Sequence, residues 1–171
     1  MKLIVHDLEK EVFNSIFDDL PQDVVVIGPE RGEIHPCIGC FGCWTKQPGR
    51  CILRDAYDHM GLQLGQAEQL LTISRIVYGG FSPFVKNIMD RSLGYILPFF
   101  TLRGGEMHHC ARYPDKLRWT VGGYGEAVTQ EEQATFRQLI QANGVNFLTC
   151  GNDVQIAQVP EALAGLREVL R

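Results

Sequence analysis

The sequence predicts an α/β fold, a doubly wound five-stranded parallel sheet with helices on both faces, and three observations carry that expectation. Short aliphatic and β-branched runs alternate with segments of helical period along the whole chain, the order that builds parallel sheets. One run, Asp23-Val24-Val25-Val26-Ile27, is almost unbroken in its hydrophobicity, as strands are when both faces are covered. The 171 residues are 45% hydrophobic and 21% charged, the composition of one globular domain spanning 1–171, with no repeat, low-complexity tract or linker to divide it.

Leu3-Ile4-Val5 reads as the first strand. A short amphipathic helix begins at Asp7, with Val12, Phe13, Ile16, Phe17 and Leu20 on one face. Asp23 to Ile27 is the second strand. Pro36 to Cys51 is rich in Gly and Pro and should be irregular loop, followed by a helix over roughly 55–67 and a third strand at 69–76. A helix from about Ser82 to Tyr95 has Pro83 in its tolerant first turn. Pro98 to Pro114 shows no clear period and reads as an inserted loop. Leu117 to Val121 is the fourth strand, closed by Gly122-Gly123-Tyr124-Gly125. Thr129 to Asn143 is a helix with Glu132 placed for a capping box. Val145 to Cys150 is the fifth strand, and Pro160 to Leu170 a closing helix. In such sheets ligands sit beyond the carboxyl ends of the strands, where strand order reverses. The loops after Val5, Ile73 and Val121 are therefore the places to look.

Net charge is −4 with no Lys/Arg cluster, which argues against a nucleic-acid or anionic-membrane partner. The N-terminal apolar run is too short for a signal peptide, and no stretch approaches the roughly 20 apolar residues of a membrane span. The expected compartment is the cytoplasm, where thiols stay reduced. The six cysteines then need an explanation other than a disulfide framework. No Ser-His-Asp, paired-carboxylate or P-loop pattern occurs, so hydrolysis and nucleoside-triphosphate chemistry are not indicated, and no catalytic residue is assigned.

Cys37, Cys40, Cys43 and Cys51 have the spacing C-x2-C-x2-C-x7-C, with glycines that let the backbone curl. Three thiols at two-residue intervals and a fourth on a short return loop can converge on an iron–sulfur cluster. Zinc is chemically open to the same set, although the spacing suits a cubane better. Packed loop thiols, or a reversible dithiol, explain the pattern equally.

Pro36-Cys37-Ile38-Gly39-Cys40-Phe41-Gly42-Cys43-Trp44, with Gly49-x-Cys51 and Asp55, resembles the compact cysteine motif of the flavodoxin-like NAD(P)H-dependent FMN reductases and iron–sulfur flavoproteins. Ser74, Gly79, Lys86, Asp90 and Arg91 fall at the intervals of a second motif in that family. The resemblance covers residues 34 to 91 and implies the flavodoxin-like fold. It also implies FMN at the strand ends, NAD(P)H as electron donor, and a small-molecule acceptor. By position, Ser74, Arg75, Ile76, Val77, Tyr78 and Gly79 would lie along the flavin ring and ribityl chain. Gly122, Gly123 and Tyr124 would form a second ring-side loop, although an ordinary strand-end turn explains the glycines as well. The four cysteines would hold a 4Fe-4S cluster, and related folds often pair as homodimers or higher oligomers.

Two departures from the family stand out. The Gly-Ser-rich loop that holds the FMN phosphate is replaced by His6-Asp7-Leu8-Glu9-Lys10-Glu11. Asp7 is placed to cap the helix, and carboxylates at that helix start repel a phosphate dianion. Losing the charge-assisted hydrogen bonds would cost a few kcal/mol, on the order of a hundredfold in affinity. Arg75 and Val77 stand where Pro and Tyr would be expected. Arg75 is either a cation near the ring or a surface residue. A flavodoxin-like module that has lost its flavin and serves in binding or metal holding is the alternative these departures favour.

Beside Glu106, the run Met107-His108-His109-Cys110 offers metal ligation or proton relay, against surface or packing roles. Phe99 and Phe100 would line a pocket, form a dimer contact or pack in the core. Asp90-Arg91 reads as a structural ion pair at a helix end.

Overall fold

The computed structural model describes residues 1–114 and 117–171. Its main sheet contains five parallel strands: β1 (Lys2–His6), β2 (Val24–Ile27), β3 (Gln69–Arg75), β6 (Arg118–Tyr124) and β7 (Gly151–Ala157), in the order β2-β1-β3-β6-β7. β4 (Ile96–Arg103) and β5 (Glu106–Ala111) form a separate antiparallel hairpin. Without that hairpin the order is 2-1-3-4-5, so the direction of winding reverses between β1 and β3. The expected fold class is therefore the observed one.

Alternation along β1 shows how the sheet is covered. Leu3 and Val5 enter a core with α3 (Met60–Gln66), α4 (Pro83–Arg91) and α5 (Gln130–Phe147). Ile4 points the other way, toward α1 (Lys10–Ile16) and the C-terminal 3-10 helix Pro160–Leu170. Trp119 is fully buried in the first layer, where its indole N–H donates to Thr72 Oγ1 at 3.0 Å. Among the described residues no helix is long and apolar enough to cross a membrane.

Several element boundaries differ from expectation. Val145 to Cys150 is not a strand: α5 continues through Gly144 to Phe147, with Phe136, Ile140, Gly144 and Phe147 buried along one stripe. Asn143-Gly144 imitates a helix end, but the stop comes at Leu148, which is left-handed with φ 58° and whose N–H reaches the carbonyls of Gly144 and Val145. The fifth strand is Gly151–Ala157. The segment Pro98 to Pro114 is not structureless. Gly104 and Gly105, with φ 58° and 86°, make the two-residue turn of the β4–β5 hairpin. The fourth strand runs on through Gly122 and Gly123 to Tyr124. The helix expected over 55–67 begins only at Met60, and the Ser82–Tyr95 helix becomes 3-10 from Ser92. A short helix, α2 (Gly42–Thr45), interrupts the cysteine loop. The Thr129–Glu132 capping box is present as expected.

Three glycines let the cysteine loop touch the body of the domain backbone to backbone. A Cβ on Gly61 of α3 would come 2.7 Å from the Gly49 carbonyl oxygen and 2.8 Å from the Gly94 carbonyl carbon. These are backbone atoms with no rotamer to yield. Gly61→Ala should therefore lower stability by about 1–3 kcal/mol, read as a shift of the urea midpoint at constant slope. An unchanged midpoint would show that the three segments do not meet.

Candidate functional site

The carboxyl ends of β1, β3 and β6 enclose a cleft of about 410 Å³ whose walls include Asp7, Glu9, Arg75, Ser82 and Tyr124. Asp7 organises it. One carboxylate oxygen accepts from the Arg75 backbone N–H at 2.9 Å and the other from the Tyr124 hydroxyl at 3.1 Å. Burial pushes the Asp7 carboxyl above its ordinary value, against the hydrogen bonds of the Ser82 hydroxyl, the Arg75 amide and Tyr124. Burial also raises the Tyr124 phenol, reinforced by the Asp7 charge. Asp7 therefore does not cap α1. The N-cap position belongs to Glu9, whose side chain makes no capping bond.

Beneath Asp7, His6 is buried and stacked on Phe13 at 4.1 Å. Its Nδ1 accepts the Leu8 N–H at 3.2 Å, and burial draws its pKa down to about 4 despite the Glu30 carboxylate. A neutral ring is the form found at neutral pH. The polar groups of the β1–α1 turn are thus engaged by the protein, His6 Nδ1 by Leu8 N–H and Asp7 by Arg75 and Tyr124, and carboxylates line its exit. A phosphate group does not fit there: Asp7 and Glu9 stand where anion-binding donors would be needed. The sequence suggests Asp7 as a helix cap; in the structure it is a wall of the cleft.

The residues expected along the ring divide sharply. Ser74 is buried, its hydroxyl donating to the Arg75 carbonyl and accepting from Ser82 N–H, each at 2.9 Å. Arg75 lines the cleft, while Ile76 is buried and its N–H bonds the Tyr124 carbonyl at 2.8 Å. Val77 and Gly80 close a tight turn that presents Tyr78, left-handed at φ 50° and 92% exposed. Gly79 lies against Thr135 and Glu132 of α5. Gly122 and Gly123 belong to β6. A Cβ on the first would press on Ile73, Leu163 and Leu166, and one on the second on Phe136 and Ile76. Close packing on both faces of the sheet accounts for both glycines.

The cysteine loop lies elsewhere, against the last turns of α4 and α5. Arg91, fully buried, bonds both Asp55 oxygens at 2.8 and 2.9 Å and the carbonyls of His35 and Leu53 at 2.7 and 3.2 Å. Trp44 donates to the carbonyls of Leu93 and Ile96, and Asp58 collects Arg50, Arg54 and His59. The expected Asp90–Arg91 pair is corrected: Asp90 bonds Lys86 on the preceding turn, and Arg91 bonds Asp55. Within this frame Cys37 and Cys40 are exposed and Cys43 and Cys51 half-buried, all as free thiols. Burial raises the Cys43 thiol, and charge on Cys51, Cys37 or Cys40 raises it further, so Cys43 lies within electrostatic reach of the other three. Among the described residues no three His, Cys, Asp or Glu side chains form a group that could hold a metal ion.

His108 and His109 point apart, as neighbours on a strand do. His108 meets Asn146 and Glu106. His109 packs between Trp44 and Phe100 and bonds the Leu97 carbonyl at 2.7 Å. A shared ligand site for the two rings is thereby ruled out.

A groove between α4 and α5 links these regions. One lobe, about 470 Å³, is lined by Gly80, Phe81, Lys86 and Leu139. The other, about 450 Å³, is lined by Cys37, Gly39, Ile96 and His109. Met89, Asp90, Asn143 and Phe147 belong to both. Sequence reasoning missed this groove and Ser82. Val85 and Ile88 of α4 and Phe136, Ile140 and Phe147 of α5, at helical spacing, signal buried faces, with no sign that the faces part.

No family model matches the chain. An iron–sulfur flavoprotein of Methanocaldococcus jannaschii is 31% identical over 85 residues, which is 50% of this chain and 42% of that protein. The match thus spans less than half of the relative. An FMN-dependent NADH-azoreductase from Bacillus anthracis, solved with FMN, superposes with a TM-score of 0.60 at 13% identity, over 99% of this chain and 98% of its own. A protein of Streptococcus mutans gives 0.65 at 9% identity over 99% and 96%. The NAD(P)H:quinone oxidoreductase of Methanothermobacter marburgensis gives 0.57 at 13% over 99% and 92%. The class is therefore defined by fold: this is a flavodoxin-like protein.

The Asp55–Arg91 pair generates a prediction. Burial raises Asp55, but the Arg91 hydrogen bonds outweigh it and hold the carboxyl below its ordinary 3.8. Its stabilisation is complete above that value and is lost as pH falls through the lowered folded value. Arg91→Met leaves a buried unpaired carboxylate and should cost about 3–5 kcal/mol near neutrality. In urea unfolding the gap between wild type and variant should narrow below about pH 4. A gap independent of pH would mean that the lost packing of the arginine stem accounts for the loss.

Proposed function

We propose that this chain is a flavin-dependent, NAD(P)H-linked oxidoreductase or electron-transfer protein of the flavodoxin-like class, with Cys37, Cys40, Cys43 and Cys51 as a second redox element. The observation that carries the reading is the α4–α5 groove, which joins the turn after β3 to Cys37 and His109. Each lobe has the volume of a small-molecule site. The partial match to an iron–sulfur flavoprotein and the fold shared with FMN- and NAD(P)H-using proteins support it. A flavin would supply hydride acceptance and electron release. No residue is assigned to an FMN phosphate, because the β1–α1 turn does not fit one. Of Ser74 to Gly79 and Gly122 to Tyr124, the parts proposed to position the ring are Arg75 and Tyr124, which line the cleft, and the turn from Val77 to Gly79; Gly122 and Gly123 are packed inside the sheet. In the cleft, the Asp7 carboxyl, its proton affinity raised by burial, accepts from the Arg75 N–H and the Tyr124 hydroxyl. Four sulfur donors fit an iron–sulfur cluster in kind, and a dithiol/disulfide pair is the other chemistry open to them. The substrates are small molecules, and the cytoplasm is the compartment in which such thiols stay reduced.

A second reading has its own support. The Asp7–Arg75–Tyr124 lock satisfies the cleft without a ligand and favours a flavodoxin-like module with no flavin. An absorption spectrum of protein purified without oxygen, with iron and sulfide assayed on the same sample, separates the two. Flavin bands are expected, and a broad shoulder with iron and sulfide would assign the cysteines to a cluster. Protein colourless after incubation with FMN and after cluster reconstitution would sink the oxidoreductase reading.

The carboxylate-lined turn sets the flavin preference. Riboflavin should compete with FMN to within a few-fold, and Asp7→Asn combined with Glu9→Gln should favour FMN by about tenfold relative to wild type. Strong FMN preference in the wild-type titration would mean that another group holds the phosphate.

A further inference from the structure

The cysteine loop does not present its thiols alike. Cys37 and Cys40 are exposed, whereas Cys43 and Cys51 are half-buried. The Gly49 N–H donates to the Cys43 carbonyl at 2.9 Å, and Gly49, with φ 83°, turns the chain back so that Cys51 returns toward Cys43. Of the three sulfurs that bear on the Cys43 thiol, already raised by burial, Cys51 acts most strongly. Cys51 also interacts with the Arg91 guanidinium, whose Nε–H is buried and makes no hydrogen bond. A fixed cation beside one sulfur of a pair steadies the charge that an attacking sulfur carries. The surroundings are cationic as well. From Pro36 to Arg54 the sequence holds Lys46, Arg50 and Arg54 and no Asp or Glu, in a chain of net charge −4. Asp55 is taken by Arg91, the single carboxylate of Asp58 answers both Arg50 and Arg54, and Lys46 is exposed.

We propose that Cys51 and Cys43 are a thiol–disulfide exchange pair whose substrate is an anionic low-molecular-weight disulfide. The proposal rests on the reading of these cysteines as a redox element, names the pair and the substrate class, and needs no flavin. Cys51 gives its proton to solvent and its sulfur attacks one sulfur of the substrate. The substrate S–S bond breaks, a mixed disulfide forms on Cys51, and the first half leaves, taking up a proton, as a thiol. The Cys43 sulfur then attacks the Cys51 sulfur and releases the second half as a thiol. The substrate is reduced by two electrons, and the protein is oxidised to a Cys43–Cys51 disulfide. Such a bond asks only two sulfurs to meet, and among the described residues no larger group of His, Cys, Asp or Glu converges as a metal would require. The cationic loop draws an anionic substrate and repels a cationic one.

Full-length protein purified without oxygen tests it, mixed either with glutathione disulfide, which carries carboxylates, or with cystamine, a cationic disulfide. Samples are quenched with iodoacetamide, released thiol is measured, and protein disulfides are mapped by peptide mass spectrometry. Both halves of glutathione disulfide should be released per chain, with Cys43 joined to Cys51. Cys43→Ser should trap the mixed disulfide on Cys51, and Cys51→Ser should slow release at least about tenfold. Glutathione disulfide should react about tenfold faster than cystamine at low ionic strength, and the gap should close in about 1 M salt. Mapping on the unsubstituted protein carries the test if either variant does not fold. A disulfide between other cysteines, equal rates for the two substrates, or no thiol release would each overturn the proposal. The reading beneath it is decided separately, by the iron, sulfide and flavin content of the same preparation.

Discussion

The buried pairing of Arg91 with Asp55 is the constraint on which the arrangement of this protein turns. Arg91 ends α4 and Asp55 lies beyond the last of the four clustered cysteines. The bidentate contact, with the His35 and Leu53 carbonyls on the same guanidinium, sews both flanks of a roughly twenty-residue loop to one helix end. A loop of that length without its own structure would otherwise wander. Burying a cation is costly, and the cost is bearable only because four oxygens meet it with good geometry. Trp44 and the Gly49–Gly61–Gly94 backbone contact then fix the loop's centre. The thiols themselves take little part in this fastening. The Gly42 N–H approaches the Cys40 sulfur at 3.4 Å, and Cys51 interacts with the Arg91 guanidinium. The scaffold immobilises the backbone around four thiols and leaves Cys37 and Cys40 exposed.

The same helix separates two places where chemistry could occur. Ser82 and Pro83, at the start of α4, border the cleft that Asp7 organises, while Met89 and Asp90, near its end, border the Cys37 lobe. Nine helical residues span about 13 Å, so a ligand filling the cleft does not touch the thiols. The α4–α5 groove is what connects the turn after β3 with Cys37. Under the proposed reading, communication between a strand-end cofactor and the cysteines within one chain would run along the groove, beside Met89, Asn143 and Phe147, rather than through the cleft.

The fold was legible because parallel strands announce themselves: Val24 to Ile27, half-buried at the sheet edge, and Leu70 to Ile73, buried at its centre, are runs that can be little else. The hairpin was missed because Phe99 to Leu102 alternates only weakly and Pro98 obscures its start; the Gly104-Gly105 turn was the available signal. The α5 end was misplaced for a local reason, Asn143-Gly144, where Gly144 serves close packing against Asn152. In the site, the cysteines and the unfavourable phosphate loop were visible as residue types. The pairing of Arg91 with Asp55, 36 residues away, was not, because sequence order offers Asp90 as the nearer partner and only the path of the chain rejects it. Asp7 was misread likewise: its helix-capping residue type gave no hint that Tyr124, on a distant strand, would claim the carboxylate.

Asp7 also explains how a strand-end cleft can persist without a phosphate anchor. Beyond parallel strands, backbone N–H groups accumulate and usually draw an anion to themselves. Here a side-chain carboxylate satisfies the Arg75 N–H from within the protein, and the price is a desolvated carboxyl group with a raised proton affinity. An internal carboxylate that substitutes for an external anion makes the cleft stable when empty. It also makes the cleft selective, because an entering ligand must either leave Asp7 in place and be uncharged nearby, or displace it and satisfy Arg75 and Tyr124 in its stead. The first route suits a neutral ring. The second requires a ligand with an acceptor group, and Glu9 beside the cleft penalises any that is anionic.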